Sequence, residues 1–214
     1  IQSGDAAKSL SIAGDGSTLE WASDSSANVL YVASHGQDAA AYGSSIAYPY
    51  ASIKYACAQV PSNVKATIYV KNGTYDEQLP IVVPANVAIV GDSQRTTIVQ
   101  PASGNSDDGS TLNNEATMWL LSDGSLLNKM TFKGMTGWTT GSTAEDITTS
   151  TAKGVFCALN PSSAIAVKSP YVIECSAIGQ NAIGAIVDGS VHSTGNKSML
   201  FHGYTVIADN GVGF

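Results

Sequence analysis

Asp76 and Glu77 are the first pair along the chain whose types could do chemistry together. Glycoside hydrolysis needs two carboxyl groups about 5–9.5 Å apart across a sugar. Neighbours on a strand point to opposite faces, so this pair matches poorly and reads as a charged strand–turn edge. Asp107 and Asp108 could hold a cation through their oxygens, but adjacent acids in a polar loop read more simply as solvated. His192 and His202, with Asp188 and Lys197 nearby, come closest to a cluster, yet no third ligand or nucleophile has a fitting spacing. His35 stands alone in a loop. Cys57, Cys157 and Cys175 lie 100 and 18 residues apart and fit no zinc pattern. Their odd number argues against a disulfide framework and for buried free thiols in a reducing cytosol. Tyr42, Tyr48, Tyr50 and Trp138 fall in loops. Loop aromatics can stack on sugars or pack between subunits, and subunit packing is the favoured reading. No catalytic set, metal site or cofactor site is expected in this segment.

The elements that must position these residues are short strands. Ala66 to Gln100 (ATIYVKNGTYDEQLPIVVPANVAIVGDSQRTTIVQ) reads as β-branched runs at Thr67–Lys71, Leu79–Val83, Val87–Val90 and Thr96–Val99. Asn72-Gly73, Pro84-Ala85-Asn86 and Gly91-Asp92 punctuate them. Each run is too short and too apolar to stand alone, so its edges and buried face must be covered. A parallel β-helix does this by pairing each strand with its counterpart one coil away. Strand character resumes at Met118–Leu121, Leu126–Phe132, Val155–Leu159, Ala164–Val167, Tyr171–Glu174, Ile183–Val187, Ser198–His202 and Tyr204–Ile207. Two polar excursions interrupt it, at 101–117 and 134–153. Turn signals at Asp188-Gly189 and Asn210-Gly211 lie 22 residues apart, which predicts five or six coils of that length. Asn181 and Asn196 are candidates for an asparagine ladder along the turns. Ile53, Ala56, Cys57 and Val60 form the one helical stripe, with Ser52 as N-cap and Pro61 as stop. Such a helix would plug the open end of the coil.

Composition narrows the classes further. The 214 residues carry a net charge of −7, only 13% charged residues and a single arginine, Arg95. The lysines do not cluster, so the basic face that nucleic acid requires is absent. There is no basic amphipathic helix for a membrane surface, no apolar run near the ~20 residues of a membrane span, and no leader-like pattern at Ile1. Residues 1–27 read as an attachment hairpin, Leu10-Ser11-Ile12 against Leu19-Glu20-Trp21 across Gly14-Asp15-Gly16-Ser17. Residues 28–214 read as the start of a longer β-helix that continues past 214.

The run YVKNGTYDEQLPIVVPANVAIVGD (69–92) resembles the opening coils of pectin-esterase and pectate-lyase-like β-helix enzymes, where a VKxGxYxE strand–turn leads to an IVGD strand. A second resemblance spans most of residues 10–214. Together with KSPYVIECSAIG (168–179), VDGSVHSTGNKSMLFHGYT (187–205), ADNGVGF (208–214) and the Gly14–Ser17 linker before Leu19-Glu20-Trp21, the run resembles virion structural proteins of T4-like cyanobacterial phages. That resemblance implies an all-β fold: a right-handed, pectin-lyase-like parallel β-helix with a short N-terminal capping helix and a small β appendage. It also implies a homotrimer in a tail, fibre or baseplate-associated protein, made in the host cytoplasm and carried in the virion.

Pectin-esterase chemistry needs two aspartates and an arginine converging on one face, carried on strands later than the shared opening motif. Arg95 sits within that motif, so its expected role is a turn or inter-coil hydrogen bond. The leading expectation is therefore a non-enzymatic structural rod, attached to neighbouring virion proteins through residues 1–27. The rival is a tailspike that binds or depolymerises host-surface polysaccharide, its activity residing outside this segment. A third class is an adhesive receptor-binding module, favoured if Trp138 and the loop tyrosines share an exposed face.

Overall fold

The computed structural model describes residues 8–12, 19–23, 28–102, 117–136, 154–160, 168–180, 182–186 and 198–209. Its first two strands, β1 (Lys8–Ile12) and β2 (Leu19–Ser23), pair antiparallel with Leu10 opposite Trp21. Next come β3 (Asn28–Val32) and the helix α1 (Ile53–Gln59). The coils then begin with β4 (Ala66–Val70), β5 (Gly73–Glu77) and β6 (Ile81–Val83). The second coil is β7 (Val87–Gly91), β8 (Thr97–Pro101) and β9 (Thr117–Leu121). The third is β10 (Leu126–Asn128), β11 (Thr131–Thr136) and β12 (Gly154–Leu159). The fourth is β13 (Tyr171–Ile173), β14 (Ser176–Gln180) and β15 (Ala182–Ile186), and a fifth opens with β16 (Leu200–His202) and β17 (Thr205–Asp209).

Corresponding strands of successive coils pair in parallel and build three sheets: β3-β4-β7-β10-β13-β16, β5-β8-β11-β14-β17 and β6-β9-β12-β15. This is a right-handed parallel β-helix, the hand that parallel crossovers adopt. The register aligns like with like. In the first sheet Leu30, Ile68, Ile89, Leu127, Val172 and Phe201 form one inward stack. In the second, Tyr75, Val99, Phe132, Ala177 and Val206 do so. Ile81, Trp119, Cys157 and Ala185 are the stack of the third. Burying each large apolar side chain contributes about 1.5–3 kcal/mol, so alignment turns many three- to six-residue strands into one continuous core. Trp119 fills the space beside Phe132, their rings 5.4 Å apart, where Cys157 and Ala185 are the smaller members of the Trp119 stack.

The outward faces differ sharply. Every residue of β9 and β12 is buried, so both faces of that part of the third sheet are covered. The first sheet instead turns two outward rows away from the core. One is Tyr31, Tyr69, Val90, Asn128, Ile173 and His202; the other is Val29, Thr67, Ala88, Leu126, Tyr171 and Leu200.

The expected uniform coil of about 22 residues is corrected. Ala66 pairs with Val87, 21 residues on, but Ala88 pairs with Leu126 and Leu126 with Tyr171, steps of 38 and 45. The polar excursions enter between the second and third sheets, residues 160–170 and 187–199 lengthen the return from the third sheet to the first, and the β11–β14 register shifts between Lys133 and Thr136, where the second excursion begins. The run Leu126–Phe132, read as one strand, is two. Lys129 takes a left-handed conformation (φ 58°) and turns the chain from the first sheet to the second. Glu174 (φ 50°) and Gly203 (φ 61°) occupy the same corner in the next two coils, and the corners are tied by Lys129 N–H donating to Ile173 O and Glu174 N–H to His202 O. Two strands absent from the sequence reading, β5 and β14, flank this corner or its equivalent. The expected strand at 164–167, the Asp188-Gly189 and Asn210-Gly211 turns, and Asn181 and Asn196 lie outside the described residues.

A side chain with a Cβ pays about 1–2 kcal/mol in the left-handed region, part of which glycine returns as unfolded-chain entropy. Glu174→Gly is therefore expected to raise the unfolding free energy by about 1 kcal/mol. Gly203→Ala, whose new Cβ would meet nothing closer than 3.6 Å, is expected to lower it by a similar amount. Denaturant unfolding of the two variants measures both, and shifts of the same sign would contradict a shared corner geometry.

Candidate functional site

The pair Asp76–Glu77 is split by the pleat, as alternation requires, but with a consequence the sequence did not reveal. Asp76 is exposed and Glu77 is 1% exposed. The reading of Glu77 as an edge solubiliser is thus corrected. Its carboxylate accepts the backbone N–H groups of Ile53 (2.5 Å) and Lys54 (3.1 Å), the first two residues of α1. Beside it, Ser52 is the N-cap and accepts from Tyr55 N–H, while Asp38 accepts the N–H groups of Ala51 and Ser52 and the Ser52 hydroxyl. The orphan donors of the helix start are thereby satisfied. Ile53, Ala56 and Cys57 face the coil, and α1 touches β3, β4, β5 and β6, strands of all three sheets. Burial raises the Glu77 carboxyl above its ordinary value, against the opposing pull of the two backbone donors.

The polar surface lies on the outward face of the second sheet at its first coils and on the turn that enters it; further along the same face Ile178 and Ile207 are exposed. Thr96 Oγ1 donates to Asn72 Oδ1 (2.6 Å) and Gln100 Nε2 to Asp76 Oδ1 (2.7 Å), each bond joining adjacent coils. Gln94 reaches two coils onward, its Nε2 donating to Ser176 Oγ (2.7 Å), while Thr131 Oγ1 donates to the Gln94 carbonyl (2.6 Å). Lys71 pairs with Asp92 at 2.8 Å. Arg95 sits exposed in this turn, its backbone N–H donating to Ser93 Oγ. The face thus offers hydroxyls, amides, a carboxylate and a guanidinium, groups that bind sugar hydroxyls and carboxylates.

Ester hydrolysis asks for more: a base for the attacking water and donors for the developing oxyanion. Asp76 pairs in register with Gln100, whereas Arg95 lies five residues earlier, in the turn before β8. Asp92 is held by Lys71. Two aspartates and Arg95 are therefore not brought together among the described residues. Nor do three His, Cys, Asp or Glu side chains gather there as a metal site would require. The three thiols are buried and free. Burial pushes Cys175 up to about 12 and raises Cys57 and Cys157 as well, which removes them as nucleophiles.

Of the four aromatic candidates, Tyr50 is corrected outright. It is 4% exposed and packs edge-on against Tyr55 in the core, so it can contact neither glycan nor subunit. Its ring lies where a Cβ on Gly43 would fall. Tyr48 is exposed and Tyr42 half-buried, their rings edge to face at 6.0 Å. Trp138, Asp107, Asp108, His192, Asp188 and Lys197 lie outside the described residues; His35 and His202 are exposed and far apart in the register. Sequence reasoning missed Tyr31 and Tyr69, stacked at 6.1 Å on the outward face of the first sheet. Their alternation with Leu30, Ile68 and Val70 was the available signal.

A family model described as Pectinesterase matches residues 39–160, more than half of the chain. Among solved structures, the chain is similar to a pectin methylesterase mutant crystallised with a hexasaccharide (16% identity, TM-score 0.47, covering 84% of this chain and 49% of that one). It is also similar to the pectin methylesterase from carrot (22% identity, TM-score 0.41, covering 73% and 52%). The chain thus spans about half the length of either. No curated protein sequence matches it. The family match overturns the expectation of a non-enzymatic virion rod, which rested on a broader but less specific likeness and on the position of Arg95.

Because its carboxyl titrates above the ordinary range, folded Glu77 binds a proton more readily than the unfolded chain does. That contribution to stability is fully present below the unfolded value and is lost as pH rises through the raised one. Glu77→Gln is expected to flatten the fall in stability as pH rises above the ordinary carboxylate value. Denaturant midpoints measured at several pH values test this; an unchanged slope would remove Glu77 as its source.

Proposed function

Since the chain belongs to the pectinesterase family, we propose that it forms part of a carbohydrate esterase acting on methyl-esterified polyuronate. The family match over residues 39–160 carries the reading. The polar outward face of the second sheet supports it, with its inter-coil ladder of hydroxyl, amide and carboxylate groups.

The reaction is hydrolysis of an ester. Water adds to the carbonyl carbon as a base takes its proton, the C–O bond to the methoxy group breaks, and methanol leaves with a proton. A uronic acid remains, which ionises and acidifies the medium. Gln100, Asp76 and Asn72 are suited to orienting sugar hydroxyls, and Arg95 to pairing with free carboxylates along the polymer. Arg95, in the turn before β8 and not on the strand that carries Gln100 opposite Asp76, serves binding on this reading and does not face the reacting ester.

Incubating the full-length parent protein with highly methyl-esterified polygalacturonate is expected to release methanol and consume base in a pH-stat. Arg95→Ala is expected to change KM severalfold at most and leave kcat within about twofold. Absence of methanol release would overturn the esterase reading; loss of kcat in Arg95→Ala would overturn the role given to Arg95.

A further inference from the structure

The outward face of the first sheet is a second surface, distinct from the polar one, and it carries an unusual pairing of properties. None of its twelve outward positions is Asp, Glu, Lys or Arg, in a chain whose net charge is −7. Large apolar side chains are exposed along it: Tyr69 at 41%, Tyr171 at 43% and Leu200 at 45%. Tyr31 and Tyr69 stack one strand apart with their planes 21° from parallel, and so present one continuous aromatic surface.

The shape of the strip narrows what could cover it. Six strands span about 24 Å at the usual strand spacing, while the two outward rows give a width of about 12 Å with their side chains. That is on the order of 300 Å², against about 800 Å² per partner for a stable protein interface. A second copy of the chain is too broad an occupant for so narrow a strip, and a linear polymer lying along it is not. Sugar rings place their C–H faces on aromatic rings, and the stacked tyrosines provide such a platform.

Charge decides which polymer. We infer that this strip is a binding site for the esterified, uncharged form of a polyuronate, and that it discriminates against the de-esterified form. A neutral methyl ester meets an uncharged surface at no electrostatic cost. The free carboxylates of the product meet the field of an acidic protein, and Lys71, which borders the strip two residues after Tyr69, is already paired with Asp92 at 2.8 Å. The site would thus hold substrate near the esterase and release product. The choice of polymer rests on the esterase reading; the existence of a glycan platform does not.

The test measures binding of the full-length protein to highly methyl-esterified polygalacturonate and to the same polymer after alkaline de-esterification, by affinity electrophoresis at low salt. Tighter binding to the esterified form is expected. Tyr69→Ala and Tyr171→Ala, both at exposed positions and checked for unchanged melting, are each expected to weaken it roughly tenfold. Methanol release from a short soluble ester is expected to be the same in both variants. Equal binding to the two polymers, or wild-type affinity in both variants, overturns the inference. So does light scattering that shows a dimer dissolved by Tyr69→Asp in a protein with no affinity for the polymer. Selective, tyrosine-dependent binding without methanol release supports the platform while refuting the esterase.

Discussion

Every coil of this protein leaves apolar side chains and unpaired backbone groups on its upper and lower surfaces, and only another coil or a cap can satisfy them. At the first coil the cap is α1, too short to be stable alone and held by carboxylates: Glu77 from within the coil and Asp38 from the loop before the helix. An ionised group taken out of water is costly unless its oxygens are hydrogen-bonded. For Glu77 two backbone donors offset part of that cost, and the same bonds fasten the helix over the open end. The aligned stacks that follow, from Ile68 to Phe201 and from Tyr75 to Val206, depend on that end staying dry.

Once the column is sealed, its three sheets divide the surface among themselves. The third is buried on both faces at β9 and β12. The second displays hydrogen-bonding side chains that bridge coils, as Asp76–Gln100 and Gln94–Ser176 do. The first displays a neutral strip with stacked tyrosines. Because outward positions of successive coils align one strand's width apart, a surface property shared by neighbouring coils extends along the axis. This suits recognition of repeating polymers, whose own chemistry recurs along a line.

The sequence disclosed the architecture well and the chemistry poorly, for one underlying reason. Strand runs such as Ala66–Val70 and Val87–Gly91, and the Ser52-capped helical stripe, are local patterns that burial imprints directly on residue type. The corner at Lys129 and Glu174 is not, since nothing about lysine or glutamate announces a left-handed turn; only the glycine at 203 does. Glu77 was misjudged for a related reason: a carboxylate is buried only when distant donors, here 23 and 24 residues upstream, satisfy it. Function was misread because Arg95 was weighed as a reason against enzymatic chemistry. Family membership rests on the coils matched over residues 39–160 and not on where Arg95 sits in its exposed turn.

The pairing of the first sheet survives steps from 21 to 45 residues because added chain enters at the corners that flank the third sheet, after the second sheet and before the return to the first. Closing a longer loop costs entropy only logarithmically, so expansion there is tolerated while the same insertion within a strand would misalign every stack. Such a corner is a place where evolution can graft new material onto an unchanging axle, altering what the molecule grips without renegotiating how it folds.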